Sequence, residues 1–295
     1  MKSTIATLSR TFPIFLLGLC CNITSQASEM STTRLKSTAG TGVASLLMDE
    51  ATFLNPASIS FFQVSSIYLQ KSGTDISPSN DSPLAPTSEE QLLFVASDAK
   101  GDVDGSISYA KEEDRFGKLS RLAASMSAPV GKKSTLGFSY ATTSRKDGPL
   151  KGKLKQVTAG VNHLLSPEFT LGLVIPDILA ADPFARRAII GAQYVYKDFV
   201  SLMLDAGSDW ERDAKDSSLV RAAIQLKVFE DFYMRFGAQE DRGLKLKGTG
   251  AGIGWVQPRL VIDVAMSSTE YKADSELNQN DEKAKETSFS LSYRF

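Results

Sequence analysis

From about residue 60 onward the chain breaks into segments of roughly ten residues in which apolar and polar side chains alternate with period 2. Val220, Ala222, Ile224, Leu226 and Val228 share one face of such a segment, with Arg221, Ala223, Gln225 and Lys227 on the other. Phe232, Met234 and Phe236 oppose Tyr233, Arg235 and Gly237, and Leu260, Ile262, Val264 and Met266 oppose Val261, Asp263, Ala265 and Ser267. Val200, Leu202, Leu204 and Ala206 oppose Ser201, Met203 and Asp205. The pattern predicts strands over 61–71, 90–98, 104–112, 118–128, 133–144, 153–164, 168–175, 187–196, 199–207, 217–228, 231–239, 246–256, 259–269 and 285–295. Long connections such as 72–89, 176–186, 208–216 and 270–284 mostly alternate with short ones such as 99–103, Lys197-Asp198 and Gln257-Pro258.

These lengths suit strands that cross a membrane at a tilt, whereas strands of a soluble sandwich are typically about five or six residues long. An even number of strands and alternating loop lengths are what a closed bacterial barrel needs, with short periplasmic turns and longer outer loops. The final strand points the same way. Phe289, Leu291, Tyr293 and Phe295 fall on one face and Ser288, Ser290, Ser292 and Arg294 on the other. A terminal aromatic closing such a strand resembles the C-terminal assembly signal of bacterial outer-membrane β-barrels. The expected fold is therefore all-β, a transmembrane antiparallel barrel of about fourteen strands.

At the other end, Lys2 and Arg10 precede the apolar run Phe12–Cys21, and Ser25-Gln26-Ala27 offers a small-x-small cleavage site. Residues 1–27 read as a secretory signal peptide, too short and wrongly flanked for a spanning helix. The residues before Cys20 and Cys21 are not the small ones that lipoprotein processing wants. Both cysteines fall in this leader, so disulfides and cysteine metal sites are not expected after cleavage. Loss of Lys2 and Arg10 leaves 31 basic and 34 acidic residues, a net charge of −3 that gives no reason to expect nucleic acid as a partner. At 42% hydrophobic and 23% charged, with no stretch of about 18 apolar residues beyond the leader, the composition excludes a helical membrane protein. It fits a barrel, which hides its apolar residues at every second position.

The strand faces put Arg121, Asp205, Arg221, Lys227, Arg235, Asp263 and Arg294 toward the lumen. A wet interior accounts for them, and so do anchors for something packed inside. Residues 28–60 do not alternate. They read as a turn at Gly40-Thr41-Gly42 followed by a short helix that Asn55-Pro56 should end, because proline disfavours the α conformation in the residue before it. The glycines could be taken for a phosphate loop, but no strand precedes them and no Lys-Ser/Thr follows.

Gly40, Gly42 and Ala44, then Asp49 and Ala51, then Asn55, Pro56 and Ala57 leading into the first strand resemble the opening of the FadL/TodX family of outer-membrane transporters. The resemblance covers about thirty residues and the strand count. It implies a bacterial outer-membrane location, an N-terminal plug over 28–60 folded into a barrel over 61–295, and passive uptake of hydrophobic small molecules such as long-chain fatty acids. PorV-like scaffold barrels share the opening motif, so a structural or protein-interaction barrel is the alternative, and a general aqueous porin a third. This chain departs from the family in its smaller outer loops and its charged lumen face. In the family, outer loops form a hydrophobic capture groove. Ile178, Leu179 and Phe184, in the apolar stretch Ile175–Arg187, are the residues that would serve here, unless they fold down as a cap.

The expected partners are outer-membrane lipids, a hydrophobic small-molecule ligand, and the barrel-assembly machinery during insertion. Catalysis is not expected, since the one histidine, His163, stands near a strand end with no nucleophile and orienting acid arguable around it. No His, Asp and Glu cluster has metal-ligand spacing, and no cofactor is implied.

Overall fold

A computed structural model describes residues 30–78, 85–101, 103–115, 117–146, 151–181, 186–275, 277 and 279–295; the expected leader, 1–27, lies outside the described residues. Among these, fourteen strands form one antiparallel sheet closed on itself: β1 Ser65–Pro78, β2 Thr87–Asp98, β3 Asp104–Asp114, β4 Gly117–Val130, β5 Ser134–Arg145, β6 Gly152–Leu164, β7 Phe169–Ile175, β8 Ala188–Tyr196, β9 Val200–Ser208, β10 Leu219–Lys227, β11 Phe232–Asp241, β12 Leu246–Val256, β13 Leu260–Tyr271 and β14 Glu282–Arg294. Each strand pairs with its sequence neighbours. The sheet closes where β1 meets β14, from Ser66 opposite Arg294 to Pro78 opposite Glu282. Closure leaves no strand edge, which is what lets a sheet sit in hydrocarbon with every backbone group paired.

Exposure alternates along the strands as polarity does. Ser288, Ser290 and Ser292 are buried while Phe289, Tyr293 and Phe295 are exposed. Leu202, Leu204, Val220, Phe236, Ile253 and Met266 are exposed as well, forming an apolar belt around the outside. Such a belt is stable only in a lipid-like solvent, and the protein is a transmembrane barrel.

Connections at the end where β1 starts and β14 stops, the base, run over 99–103, 131–133, 165–168, 197–199, 228–231 and 257–259. At the opposite end, the top, they run over 79–86, 115–116, 146–151, 176–187, 209–218, 242–245 and 272–281. The length contrast expected from the sequence holds except at 242–245, as short as the base turns, and at 115–116, where Asp114 pairs directly with Gly117, which has a positive φ of 117°.

Two expectations need correction. The first strand spans Ser65–Pro78 rather than 61–71, and several strands rise higher than their apolar pattern suggested. Ser72–Pro78 carries no alternating apolar side chains, because it stands above the belt, yet pairing with β2 and β14 keeps it extended. Second, no helix runs from Gly42 to Asn55, where the chain makes successive turns. The helix, α1, is Thr33–Ser37, before the glycines, and Asn55 starts a 3-10 helix, Pro56–Phe61, instead of ending one. Asn55 Oδ1 accepts from Ala57 N at 3.0 Å and Pro56 takes the first helical position. Asn-Pro is as good a start signal as a stop signal, because Asn favours the N-cap and Pro the N1 position.

The belt assignment has a direct consequence. Leu204, 59% exposed in the middle of β9, faces lipid. Leu204→Arg should destabilise the bilayer-inserted barrel by about 2–4 kcal/mol in a guanidinium titration. An unchanged midpoint would contradict the lipid-facing register.

Candidate functional site

Residues 30–64 lie inside the barrel. α1 is capped by Thr32, whose Oγ1 accepts from Leu35 N at 3.3 Å. It ends in a Schellman turn: Ala39 adopts φ 49°, Ala39 N donates to Lys36 O at 3.3 Å and Gly40 N to Leu35 O at 2.7 Å. Gly40 and Gly42 follow with φ of 74° and 140°, conformations that disfavour any side chain. The turn they make aims its amides at the wall. Gly42 N donates to Asp205 Oδ2 at 2.8 Å and Val43 N to Asp205 Oδ1 at 3.2 Å. Arg221 Nη1 donates to Gly40 O at 3.1 Å, and its Nε to Gln239 Oε1 at 3.1 Å. Asp205 and Arg221 are directly opposite each other on β9 and β10, so one cross-strand pair grips both polarities of the turn. Successive amides of this kind make an anion-binding concavity. Here the wall's own carboxylate fills it, which gives Gly40-Thr41-Gly42 an alternative to the phosphate-loop reading.

The remaining motif residues also meet the wall. Asp49 accepts from Ser66 Oγ at 2.6 Å and Ser292 Oγ at 2.9 Å, spanning the seam between the first and last strands. Asn55 Nδ2 donates to Val43 O at 2.8 Å, and Ala57 O accepts from Thr135 Oγ1 at 2.7 Å. Ala44, Ala51, Pro56 and Ala57 are buried. Glycines make room for this contact, because a Cβ at Gly160 would overlap Asn55, at Gly172 Val43, at Gly237 Thr38 and at Gly250 Lys36. Apolar packing fills the rest, with Leu35, Val43, Leu47 and Leu54 against Val174, Ile189 and Leu219, and Met30 against Tyr68, Leu93 and Val95.

The lumen charges occupy distinct surroundings. Arg235, 2% exposed, pairs with Asp263 and donates through Nε to Gln225 Oε1 at 2.8 Å, while Arg34 Nη2 reaches the same Gln225 at 3.2 Å. Arg121 lies over the Phe53 ring at 5.4 Å. Lys227 and Arg294 are half-buried at the base ends of β10 and β14. Lys36, which sequence reasoning did not single out, is buried and reaches Ser72 at 2.8 Å, Gln91 at 3.2 Å and Glu286.

Above α1 a cavity of about 170 Å³ remains, bounded below by Met30, Leu35, Phe53 and Leu54, with Lys36 and Arg221 as cations. Leu246, Tyr271 and Glu286 bound it from the wall. Gln279, donating to Leu244 O at 3.2 Å and Lys272 O at 2.8 Å, ties the two connections beside it. Paired charges draw the top together: Arg145 grips Asp114 through two bonds of 2.6 Å, Arg115 grips Glu282 at 2.7 and 3.0 Å, and Arg187 reaches Asp241. Ile178 and Leu179, 44% and 62% exposed on the 176–187 connection, do not line this cavity. Phe184 lies outside the described residues. At the base, His163 Nδ1 is 2.8 Å from Ser134 Oγ, and among the described residues no carboxylate is bonded to the ring.

No family model matches this chain, and no curated protein sequence matches it. Solved structures do. The chain is similar to the CymD monoaromatic hydrocarbon channel, with a TM-score of 0.62 at 12% identity over 90% of this chain and 97% of that one. It is similar to the Pseudomonas putida toluene transporter TodX, with a TM-score of 0.57 at 12% identity over 90% and 98%. At such identity the likeness is one of fold.

The clamp on the glycine turn yields a second test. Asp205→Ala leaves the amides of Gly42 and Val43 without their acceptor in a buried place. It should cost about 1–3 kcal/mol in stability. Ser201→Ala, further along β9, serves as the control. Equal unfolding midpoints for both variants would remove Asp205 from this role.

Proposed function

We propose that this protein is a passive outer-membrane channel for small, largely apolar molecules, sealed at rest by residues 30–64. The observation that carries the reading is the cavity of about 170 Å³ between the apolar side of α1 and the upper wall. A pore for water and ions needs a continuous wet lumen, whereas this interior is packed. A cavity of roughly 150 Å³ accommodates benzene. Sites for drug-sized ligands run to roughly 300–1,000 Å³. The volume therefore favours a one-ring or short-chain molecule over a long-chain fatty acid. The polar groups on one side suit a ligand with an apolar body and one polar corner.

The fold likeness supports the reading, since two channels with this architecture are described as carrying monoaromatic hydrocarbons or toluene. The shorter base turns suit the periplasmic side and the top the cell exterior. Ile178, Leu179 and Phe184 are proposed as a first apolar contact for a ligand arriving from outside. Phe289, Leu291, Tyr293 and Phe295 are proposed as the strand that the assembly machinery reads.

Toluene and laurate titrated into the delipidated barrel, followed by saturation-transfer NMR, test the proposal. Toluene is expected to bind, and more tightly than laurate. Leu246→Trp, which fills the cavity from β12, should weaken toluene by about tenfold, in line with the roughly 1.5–3 kcal/mol of burying one apolar group. Absence of binding, or toluene binding that Leu246→Trp leaves unchanged, would remove the cavity as the ligand site.

A further inference from the structure

Outward-facing lysines are distributed unevenly around the barrel. From β12 through β14 to β1, each one on a strand has an acid beside it. Lys247 Nζ is 3.5 Å from Glu240, Lys283 Nζ 2.7 Å from Glu270 and Lys71 Nζ 3.4 Å from Glu90, and Lys285 stands opposite Asp75. The β4–β6 face differs. Lys118, Lys146, Lys151, Lys153 and Lys155 are all exposed there, and none forms an ion pair among the described residues. Glu113, opposite Lys118, and Asp147, outside the described residues, offset at most two of the five charges.

Register brings the five together. Lys146 N donates to Lys118 O, and Arg145 opposite Gly152 sets Lys146 level with Lys151. Lys153 faces Ser144, and Lys155 faces Thr142, which in turn faces Leu122. The lowest lysine is thus level with the first residues of the apolar belt, where Leu122, Phe138, Tyr140 and Val161 are exposed. Five like charges over lipid-facing apolar surface repel one another unless anions sit among them. Lysine stems lie along apolar surface and send their ammonium groups to the headgroup level.

We infer that the β4–β6 face docks a phosphorylated glycolipid of the outer leaflet, with its phosphates among these lysines and its acyl chains on Leu122, Phe138, Tyr140 and Val161. The inference rests on the outer-membrane orientation proposed above, with the top outside, and not on the cavity or its ligand. A phosphate oxygen accepts the strong, charge-assisted bonds that an ammonium group donates. The apolar strip beneath selects a lipid over a free anion.

The test uses the delipidated barrel in neutral detergent, titrated with bisphosphorylated lipid A, with its dephosphorylated form and with inorganic phosphate, and read by native mass spectrometry. Bisphosphorylated lipid A should bind best. The variant K118Q/K146Q/K151Q/K153Q/K155Q should bind it at least about tenfold more weakly. The variant K71Q/K247Q/K283Q/K285Q should bind it as the wild type does. Heat-modifiable mobility reports folding, and if the fivefold variant fails to fold, K153Q/K155Q takes its place with a loss of several-fold expected. Equal affinity in both variants, equal binding of dephosphorylated lipid, or full competition by inorganic phosphate would each overturn the inference. Toluene binding by the lysine variant, measured in parallel, separates this outcome from failure of the channel reading.

Discussion

Fourteen strands enclose more space than their own inward side chains can fill. Eight strands come close to filling themselves, and sixteen to eighteen leave an aqueous channel. This barrel lies between, and a single stretch of chain, residues 30–64, takes up the difference. The wall is built for it. Gly160, Gly172, Gly191, Gly237 and Gly250 face inward where the segment comes nearest, and Ala44, Ala51 and Ala57 keep the segment thin. Larger groups at either set of positions would force the segment and wall apart.

Filling the lumen with backbone brings amides and carbonyls away from water, and each needs a partner. The charged residues of the inner face supply them. Asp205 and Arg221 take opposite polarities of one turn, and Asp49 reaches hydroxyls on both closing strands. Lys36 and Glu286 neutralise each other beside the cavity. Because these partners belong to different strands, the segment also braces the wall across its seam. Above α1 packing leaves a cavity, and its position there sets its size and its mixture of apolar floor and polar side.

Strand identity was legible in the sequence because lipid on one side and a polar interior on the other impose a strict period of 2. Strand ends were not. Above the belt both faces are polar, so Ser72–Pro78 and Glu282–Ala284 lose the signal while cross-strand pairing continues. The inner segment was placed from its opening motif, but its helix was misplaced because Asn55-Pro56 can begin a helical turn as well as end one. Arg221 and Asp205 were legible as inward charges, whereas their shared turn was not, since nothing in a strand pattern says what stands opposite. Lys36 and Glu286 went unnoticed because each looks like an ordinary surface charge. One signal was present and unused: Gly248, Gly250, Gly252 and Gly254 repeat with period 2 on the inward face of β12. Glycine on one face of a strand marks close approach from that side: Gly250 and Gly252 meet Lys36 and Ser37 of α1, while Gly248 and Gly254 leave room for the Gln239, Arg235 and Asp263 side chains of the wall.

The central claim is that residues 30–64 seal the lumen. Planar-bilayer conductance tests it most directly, comparing the intact barrel with a variant lacking residues 30–52. The account predicts that the intact protein conducts ions poorly, and that the shortened barrel still inserts and conducts far better. High conductance in the intact protein that the deletion does not raise would contradict the seal and make the protein an aqueous porin.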